Sequence, residues 1–175
     1  MIRRLSKRGR VILTGCYARK IKGIETFENT EIVPDIKDVA EMLGSSLSYD
    51  AFFTRSRPFI KIQSGCDQFC AYCIIPYLRG PLKSVPLHEI RSLLEKIRDE
   101  NFKEVVLTGI HIGKYGKDLS DGSTLADVVK AGYETVGRVR MGSLESPEID
   151  ERLFEYAKIG MLLPHWHIPL QSGCD

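Results

Sequence analysis

The sequence predicts an α/β fold with a parallel, curved sheet. Three observations carry this. From Phe59 onward, strand-like and helix-like segments alternate about every 30–40 residues, the rhythm of crossover units. The helical segments repeat apolar residues at i, i+3, i+4 and i+7, while the strands alternate apolar with polar. The residues just after the strands are polar or glycine-rich, and one such loop is rich in cysteine. Open α/β sheets and barrels place their chemistry at those carboxyl ends.

Residues 1–57 begin with a basic, helix-like stretch and a strand at Val11–Thr14. Asp35–Leu43 reads as a short helix, with Ile36, Val39, Ala40 and Leu43 on one stripe. Ser45–Arg57 is polar and suits a linker. The boundary therefore falls at 57, with a second domain over 58–175.

In that second part Phe59–Ser64 is expected as a strand. Pro86–Asp99 is a helix with Ile90, Leu93, Leu94 and Ile97 on one face and Pro86 near its first turn. Glu104–Thr108 is the next strand, Thr124–Val136 the next helix and Arg138–Leu144 the third strand. Ser146 is expected to cap a helix reaching about Lys158, with Pro147 and Glu148 in its first turn. Trp166–Leu170 is expected as a fourth strand.

Strand parity narrows the architecture. Lys61 and Gln63 oppose Ile60 and Ile62. Arg138 and Arg140 oppose Val139 and Met141. His165, His167 and Gln171 oppose Trp166, Ile168 and Leu170. A doubly wound sheet or a filled barrel would be apolar at these positions. The pattern fits helices over an apolar outer face and a polar lumen holding a polar or anionic ligand. It also fits an open sheet with one solvated face.

The 175 residues are 43% hydrophobic and 27% charged, ordinary for a globular protein, and no apolar run reaches membrane-spanning length. Net charge is +2, but residues 1–20 carry seven basic side chains and no acidic one. The rest holds 18 basic against 23 acidic residues, a net of −5. The basic start is either a solvated helix face or a nucleic-acid contact. Leu13-Thr14-Gly15-Cys16 superficially matches a lipoprotein cleavage site, but only Val11, Ile12 and Leu13 stand between Arg10 and Thr14, too few for a signal core. A cytoplasmic protein is expected, where clustered cysteines serve metals or chemistry rather than disulfides. Both ends read as cut, so a piece of a longer protein is expected.

The chemistry concentrates in SGCDQFCAYCIIP, Ser64–Pro76. Cys66, Cys70 and Cys73 follow the pattern C-x3-C-x2-C. Structural zinc and ordinary iron–sulfur sites take four ligands. The nearest further candidate in sequence is His88; a zinc site would draw on something distant, such as Cys16 or Cys174. A 4Fe–4S cluster on three thiolates instead leaves one iron open.

That spacing, with Tyr72 just before the last cysteine, resembles the radical S-adenosylmethionine enzymes. In them the cofactor's amino and carboxylate groups chelate the open iron. TGCYA at 14–18, GCDQFCAYCIIPYLRG at 65–80, EVVLTGIHIGKYGKDL at 104–119 and HIPLQSG at 167–173 further resemble the methylthiotransferases. LTGIHIGKYG is most similar to the branch that modifies threonylcarbamoyladenosine beside the tRNA anticodon.

The resemblance implies a partial parallel β/α barrel of the radical S-adenosylmethionine type, incomplete at its C-terminal side. The tail of an α/β N-terminal domain precedes it. Cys66, Cys70 and Cys73 would hold the radical 4Fe–4S cluster. Tyr72 would set its backbone against the adenine of S-adenosylmethionine. The backbone at Thr108 and Gly109 would receive its amino group, and Ser143 and Glu145 its ribose. Gln171 would face the lumen near substrate. Local capping or barrel hydrogen bonding is an equal reading for Ser143, Glu145 and Gln171. Cys16 matches one of three ligands of a second 4Fe–4S cluster tied to sulfur delivery. The other two ligands and a C-terminal RNA-binding domain would lie outside this chain. The implied partners are tRNA, a small-protein or flavoprotein electron donor and a sulfur donor, with no membrane. The implied reaction is methylthiolation at an adenine C–H bond, started by a deoxyadenosyl radical. Methylthiolation of isopentenyladenosine or of a ribosomal protein side chain is the alternative. A zinc-stabilised RNA-binding module without catalysis is the alternative from another class. The sequence departs from the family at Pro81-Leu82-Lys83-Ser84, where more arginine is expected, and at Cys174, where serine is common.

Overall fold

The computed structural model describes residues 1–16, 18, 27–45 and 57–173. The expected linker falls largely, and Cys174 wholly, outside them. The chain divides into two compact units, Met1–Tyr49 with Tyr77–Arg79, and Asp50–Pro76 with Gly80–Asp175.

In the first unit a short helix α1 (Ile2–Ser6) leads into β1 (Val11–Leu13), which pairs in parallel with β2 (Thr30–Ile32). Helix α2 (Ile36–Met42) follows and buries Val39 and Ala40, two of the four residues on its expected stripe. The basic start is partly matched inside the unit: Arg10 pairs with Glu31 at 2.5 Å, and the Arg3 guanidinium lies 5.6 Å from the Phe27 ring centre.

The second unit is built on a three-stranded parallel sheet of order β3 (Phe59–Lys61), β6 (Val105–Thr108), β7 (Val139–Met141). Two short strands, β4 (Gln63–Ser64) and β5 (Lys83–Ser84), pair antiparallel beside it. Helix α3 (Ile75–Arg79) ends the cysteine loop. Helices α4 (Leu87–Asp99) and α5 (Leu125–Val136) are the crossovers from β3 to β6 and from β6 to β7. Helix α5 starts on a capping box: Thr124 accepts from the Asp127 amide, and the Asp127 carboxylate accepts from the Thr124 amide at 2.8 Å.

Register puts Ile60, Leu107 and Met141 in one row and Val105 beside Val139. These residues are buried with Ile90, Leu94 and Ile97 of α4 and Val128, Val129 and Val136 of α5. Each such side chain withdrawn from water contributes about 1.5–3 kcal/mol, which fixes the helices on this face. The opposite parity carries Lys61 and Arg140, as the alternation predicts. Arg140 is not free, however. Glu104 is mostly buried and meets Arg140 at 3.1 Å, Arg57 at 3.5 Å and Arg138 at 3.6 Å.

Four expectations need correction. The strand Phe59–Ser64 breaks at Ile62, whose N–H stays on the Thr108 carbonyl (2.8 Å) while its own carbonyl accepts from Val85 (2.8 Å). Gln63 therefore does not line a lumen with Lys61; it is wholly buried. Ser146 caps no helix: Ser146–Glu148 is one 3-10 turn, and α6 (Glu151–Lys158) begins five residues later, capped by Asp150 accepting from Arg152 N–H at 2.9 Å. Finally, Trp166–Leu170 forms no strand. The segment meets the continuation of β7 through one isolated bridge, Ser143 with His167, and Leu162 ahead of it makes another with Val139. Pro164 and Pro169 lack the N–H a ladder needs, and His165 N–H turns back to Leu163 O at 2.7 Å. Trp166 instead stacks on Phe154 of α6 at 5.2 Å.

Candidate functional site: the cysteine loop

The break after Ile62 builds the site. The Gln63 amide nitrogen donates to the carbonyls of Ser64 (2.7 Å) and Gly65 (2.8 Å). Its oxygen accepts from the backbone of Ile110 (3.0 Å) and His111 (2.7 Å). One side chain thus ties the loop after β3 to the loop after β6. Gly65 then turns the chain at φ +68°, and a Cβ there would lie 1.9 Å from the Pro81 carbonyl oxygen. Only glycine satisfies both conditions. Cys66 N–H donates to Gly80 O at 3.0 Å, and Cys73 N–H to Cys70 O at 2.9 Å, which curls the loop. The Pro81–Ser84 segment, where more arginine is expected, supplies the wall against Gly65 and the strand β5.

A cavity of about 270 Å³ opens here. It is lined by all three loop cysteines, by Tyr72, by Gly109–His111 and by Ser143–Glu145. Cys66 is buried, and Cys70 and Cys73 are half-buried. The Tyr72 hydroxyl donates to Gln171 Oε1 at 2.5 Å, and Gln171 Nε2 donates to Glu145 Oε1 at 3.1 Å. Desolvation, with neighbouring Cys70, raises the Tyr72 phenol above its ordinary pKa. Ser143 Oγ lies 2.6 Å from His167 Nδ1. Seven sequence-predicted residues therefore line one cavity, and Gln171 bonds to two of them. Thr108 is at the end of β6 outside the lining, its carbonyl taken by Ile62. Gly109 is needed for packing, since a Cβ would stand 2.7 Å from Ile112 Cγ2 and 2.9 Å from Gln63 O. Cys16 lies in the first unit, half-buried after a turn at Gly15.

Sequence distance hid a further group. His111 Nδ1 is 3.3 Å from Cys66 Sγ, although 45 residues separate them. Its Nε2 is 2.6 Å from Glu148 Oε2. The parallel pairing of Lys61 with Thr108 was the available signal: loops leaving adjacent parallel strands meet. Lys114 bonds Asp67 at 2.9 Å beside the same cysteine. That bond, first among the causes, holds the Asp67 carboxyl below its ordinary pKa, and it raises the Lys114 ammonium. Among the described residues, Cys66, Asp67 and His111 are the group gathered within 4.8 Å for a single ion. Asp67 is already held by Lys114 and His111 by Glu148, so the arrangement reads as hydrogen bonding around Cys66. Cys70 and Cys73 stand apart from it.

A family model described as the radical SAM superfamily matches residues 60–175. This chain belongs to the radical SAM superfamily. It is 40% identical over 147 residues to the threonylcarbamoyladenosine tRNA methylthiotransferase of Rickettsia prowazekii, covering 82% of this chain and 34% of that protein. It is 33% identical to the Bacillus subtilis protein of the same name, covering 95% and 43%. The tRNA-2-methylthio-N(6)-dimethylallyladenosine synthase of Pseudothermotoga lettingae is 37% identical over 70% of this chain and 29% of its own length. The chain thus spans less than half the length of these curated relatives. No described helix is long and apolar enough to cross a membrane.

A radical SAM protein calls for a 4Fe–4S cluster and S-adenosylmethionine, and the residues fit both. Three thiols, the soft donors that iron–sulfur clusters take, border one cavity. Beside them lie main chain at Gly109, the Ser143 hydroxyl and the Glu145 carboxylate, partners for an amino acid and a nucleoside.

Proposed function

We propose that this chain is the centre of a tRNA methylthiotransferase, with threonylcarbamoyladenosine beside the anticodon as the modified base. The supporting observation is the cavity that joins the three thiols to the Tyr72–Gln171–Glu145 chain. In this reading residues 58–175 are the first part of a β/α barrel, and residues 1–57 are the remnant of the domain that carries a second cluster on Cys16. Cys66, Cys70 and Cys73 hold the radical cluster. Bound there with S-adenosylmethionine, the cluster supplies one-electron chemistry that reaches an unactivated C–H bond.

The chain's own residues do the positioning. Gln63 and Gly65 fix the loop, so the thiols are set before any ligand arrives. Tyr72, held by Gln171, walls the cavity where an adenine would lie. Glu145 offers its second carboxylate oxygen to ribose hydroxyls, and Gly109 exposes main chain to the methionyl amino group, with Thr108 just behind it. Ile75, Ile110, Leu144 and Pro169 add apolar wall beside the polar Gln68. The partners are tRNA, an electron-donor protein and a sulfur donor, all in the cytoplasm.

The likeness to the dimethylallyladenosine synthase supports one second reading, in which isopentenyladenosine is the base. Nucleoside analysis of tRNA from a strain lacking the gene separates the two. Loss of the methylthio group from threonylcarbamoyladenosine alone supports the first reading. Loss from isopentenyladenosine alone supports the second, and loss from neither refutes both.

A further inference from the structure

The least symmetric feature of the site is the surroundings of Cys66. It is the buried thiol of the three. Gln68 N–H points at its sulfur from 3.4 Å and His111 Nδ1 from 3.3 Å. Beyond the ring, Glu148 Oε2 stands 2.6 Å from Nε2, with the imidazole 8% and the carboxylate 15% exposed. Carboxylate, imidazole and thiol therefore lie in series, each brought by the loop after a different strand. Each is separately fixed. His111 is set by its N–H on Gln63, and Glu148 by its N–H on Glu145 O at 3.0 Å. Gly113 completes the fit: a Cβ there would lie 2.5 Å from Glu148 Oε2 and push the carboxylate away.

We propose that His111, oriented by Glu148, donates a hydrogen bond to the cluster-bound Cys66 thiolate and raises the reduction potential of the cluster. This rests on the reading of Cys66 as a cluster ligand. A metal-bound thiolate can only accept, so the ring nitrogen that meets it, Nδ1, is the donor, and Nε2 is left to share one proton with the Glu148 carboxyl group. Carboxylates commonly orient metal-site histidines in this way, and hydrogen bonds to cluster sulfurs are among the determinants of potential. The direction follows from charge. Reduction adds an electron to the cluster, and a donor at sulfur stabilises the more negative state. His111 and Glu148 are positioning residues, acting through Cys66 rather than touching substrate.

The test is a redox titration of the anaerobically reconstituted full-length protein without S-adenosylmethionine, with every variant made in the Cys16→Ala background so that only the loop cluster is followed. Reduced cluster is followed by electron paramagnetic resonance, with iron and sulfide measured on the same samples. His111→Leu should load iron as wild type does. At fixed poise its reduced-to-oxidised ratio should fall about tenfold, a shift of about 59 mV to lower potential. His111→Asn, whose amide nitrogen occupies the Nδ1 position, should recover part of the shift. Gly113→Ala, which displaces the Glu148 carboxylate but keeps its charge, should move it the same way by less. A loop-tethering role alone would move none of these potentials. A fully loaded His111→Leu protein that titrates with wild type overturns the proposal. If His111→Leu holds no cluster, Gly113→Ala decides by the same criterion. A wild-type protein that binds no iron–sulfur cluster overturns the cluster reading itself, and this inference with it.

Discussion

Gln63→Leu is expected to loosen the site from inside. The side chain is wholly buried and makes hydrogen bonds at 2.7, 2.8, 3.0 and 2.7 Å to backbone on two loops. Each contributes about 1 kcal/mol net, or roughly 4 kcal/mol together. Leucine is close in size and recovers about 1–2 kcal/mol by apolar burial. It also strands the N–H groups of Ile110 and His111, and a buried orphan costs about 1–3 kcal/mol. The net expectation is a loss of at least about 4 kcal/mol, read as a lower urea midpoint for the second unit at unchanged slope. Iron loading should fall too, because the cysteine loop and the His111 loop lose their common tie. Among the described residues no buried side-chain polar atom lacks a partner, so wild type has no such defect to mask the effect. A loss below about 1 kcal/mol with normal loading would refute the reasoning.

Two further outcomes follow from the same geometry. Gly65→Ala meets a left-handed φ and the Pro81 carbonyl at once, and should cost about 2–4 kcal/mol by urea unfolding, with poor cluster loading. Asp150 is held below the ordinary carboxylate pKa, first by its hydrogen bonds with the Arg152 side chain. Its contribution is thus present above about pH 4 and lost as pH falls through the lower folded value. Asp150→Asn keeps a capping group but not the titration. Its stability deficit against wild type should shrink between pH 6 and pH 3, and a deficit constant across that range would refute the assignment.

Much of the second unit was legible because its signals were local. Leu125, Val128, Val129 and Val136 repeat at helical spacing, and they are the buried face of α5. Val139 and Met141 alternate with Arg138 and Arg140, and the faces separate as that predicts. The failures have physical causes as well. Trp166–Leu170 alternates like a strand, but two prolines and a turn at His165 deny it a ladder. Ser146-Pro147-Glu148 is a sound helix start that yields one 3-10 turn, because Asp150 offers a cap that Arg152 reinforces. Gln63 has the parity of a lumen residue, yet the chain changes partner at Ile62 and the amide becomes an internal brace. The cysteine loop was readable as a unit because its three cysteines are close together in sequence. His111 and Glu148 were not, since only the pairing of strands brings them to Cys66.

The central claim is that Cys66, Cys70 and Cys73 hold a 4Fe–4S cluster able to act on S-adenosylmethionine. The most direct measurement is made on the full-length Cys16→Ala protein, which isolates this loop from the second cluster proposed at Cys16. Iron, sulfide and zinc are quantified after anaerobic reconstitution, and deoxyadenosine is followed after adding dithionite and S-adenosylmethionine. About four iron and four sulfide per chain are expected, with deoxyadenosine formed, and both should be lost when any of the three loop cysteines is changed to alanine. One zinc per chain, no sulfide and no deoxyadenosine would contradict it.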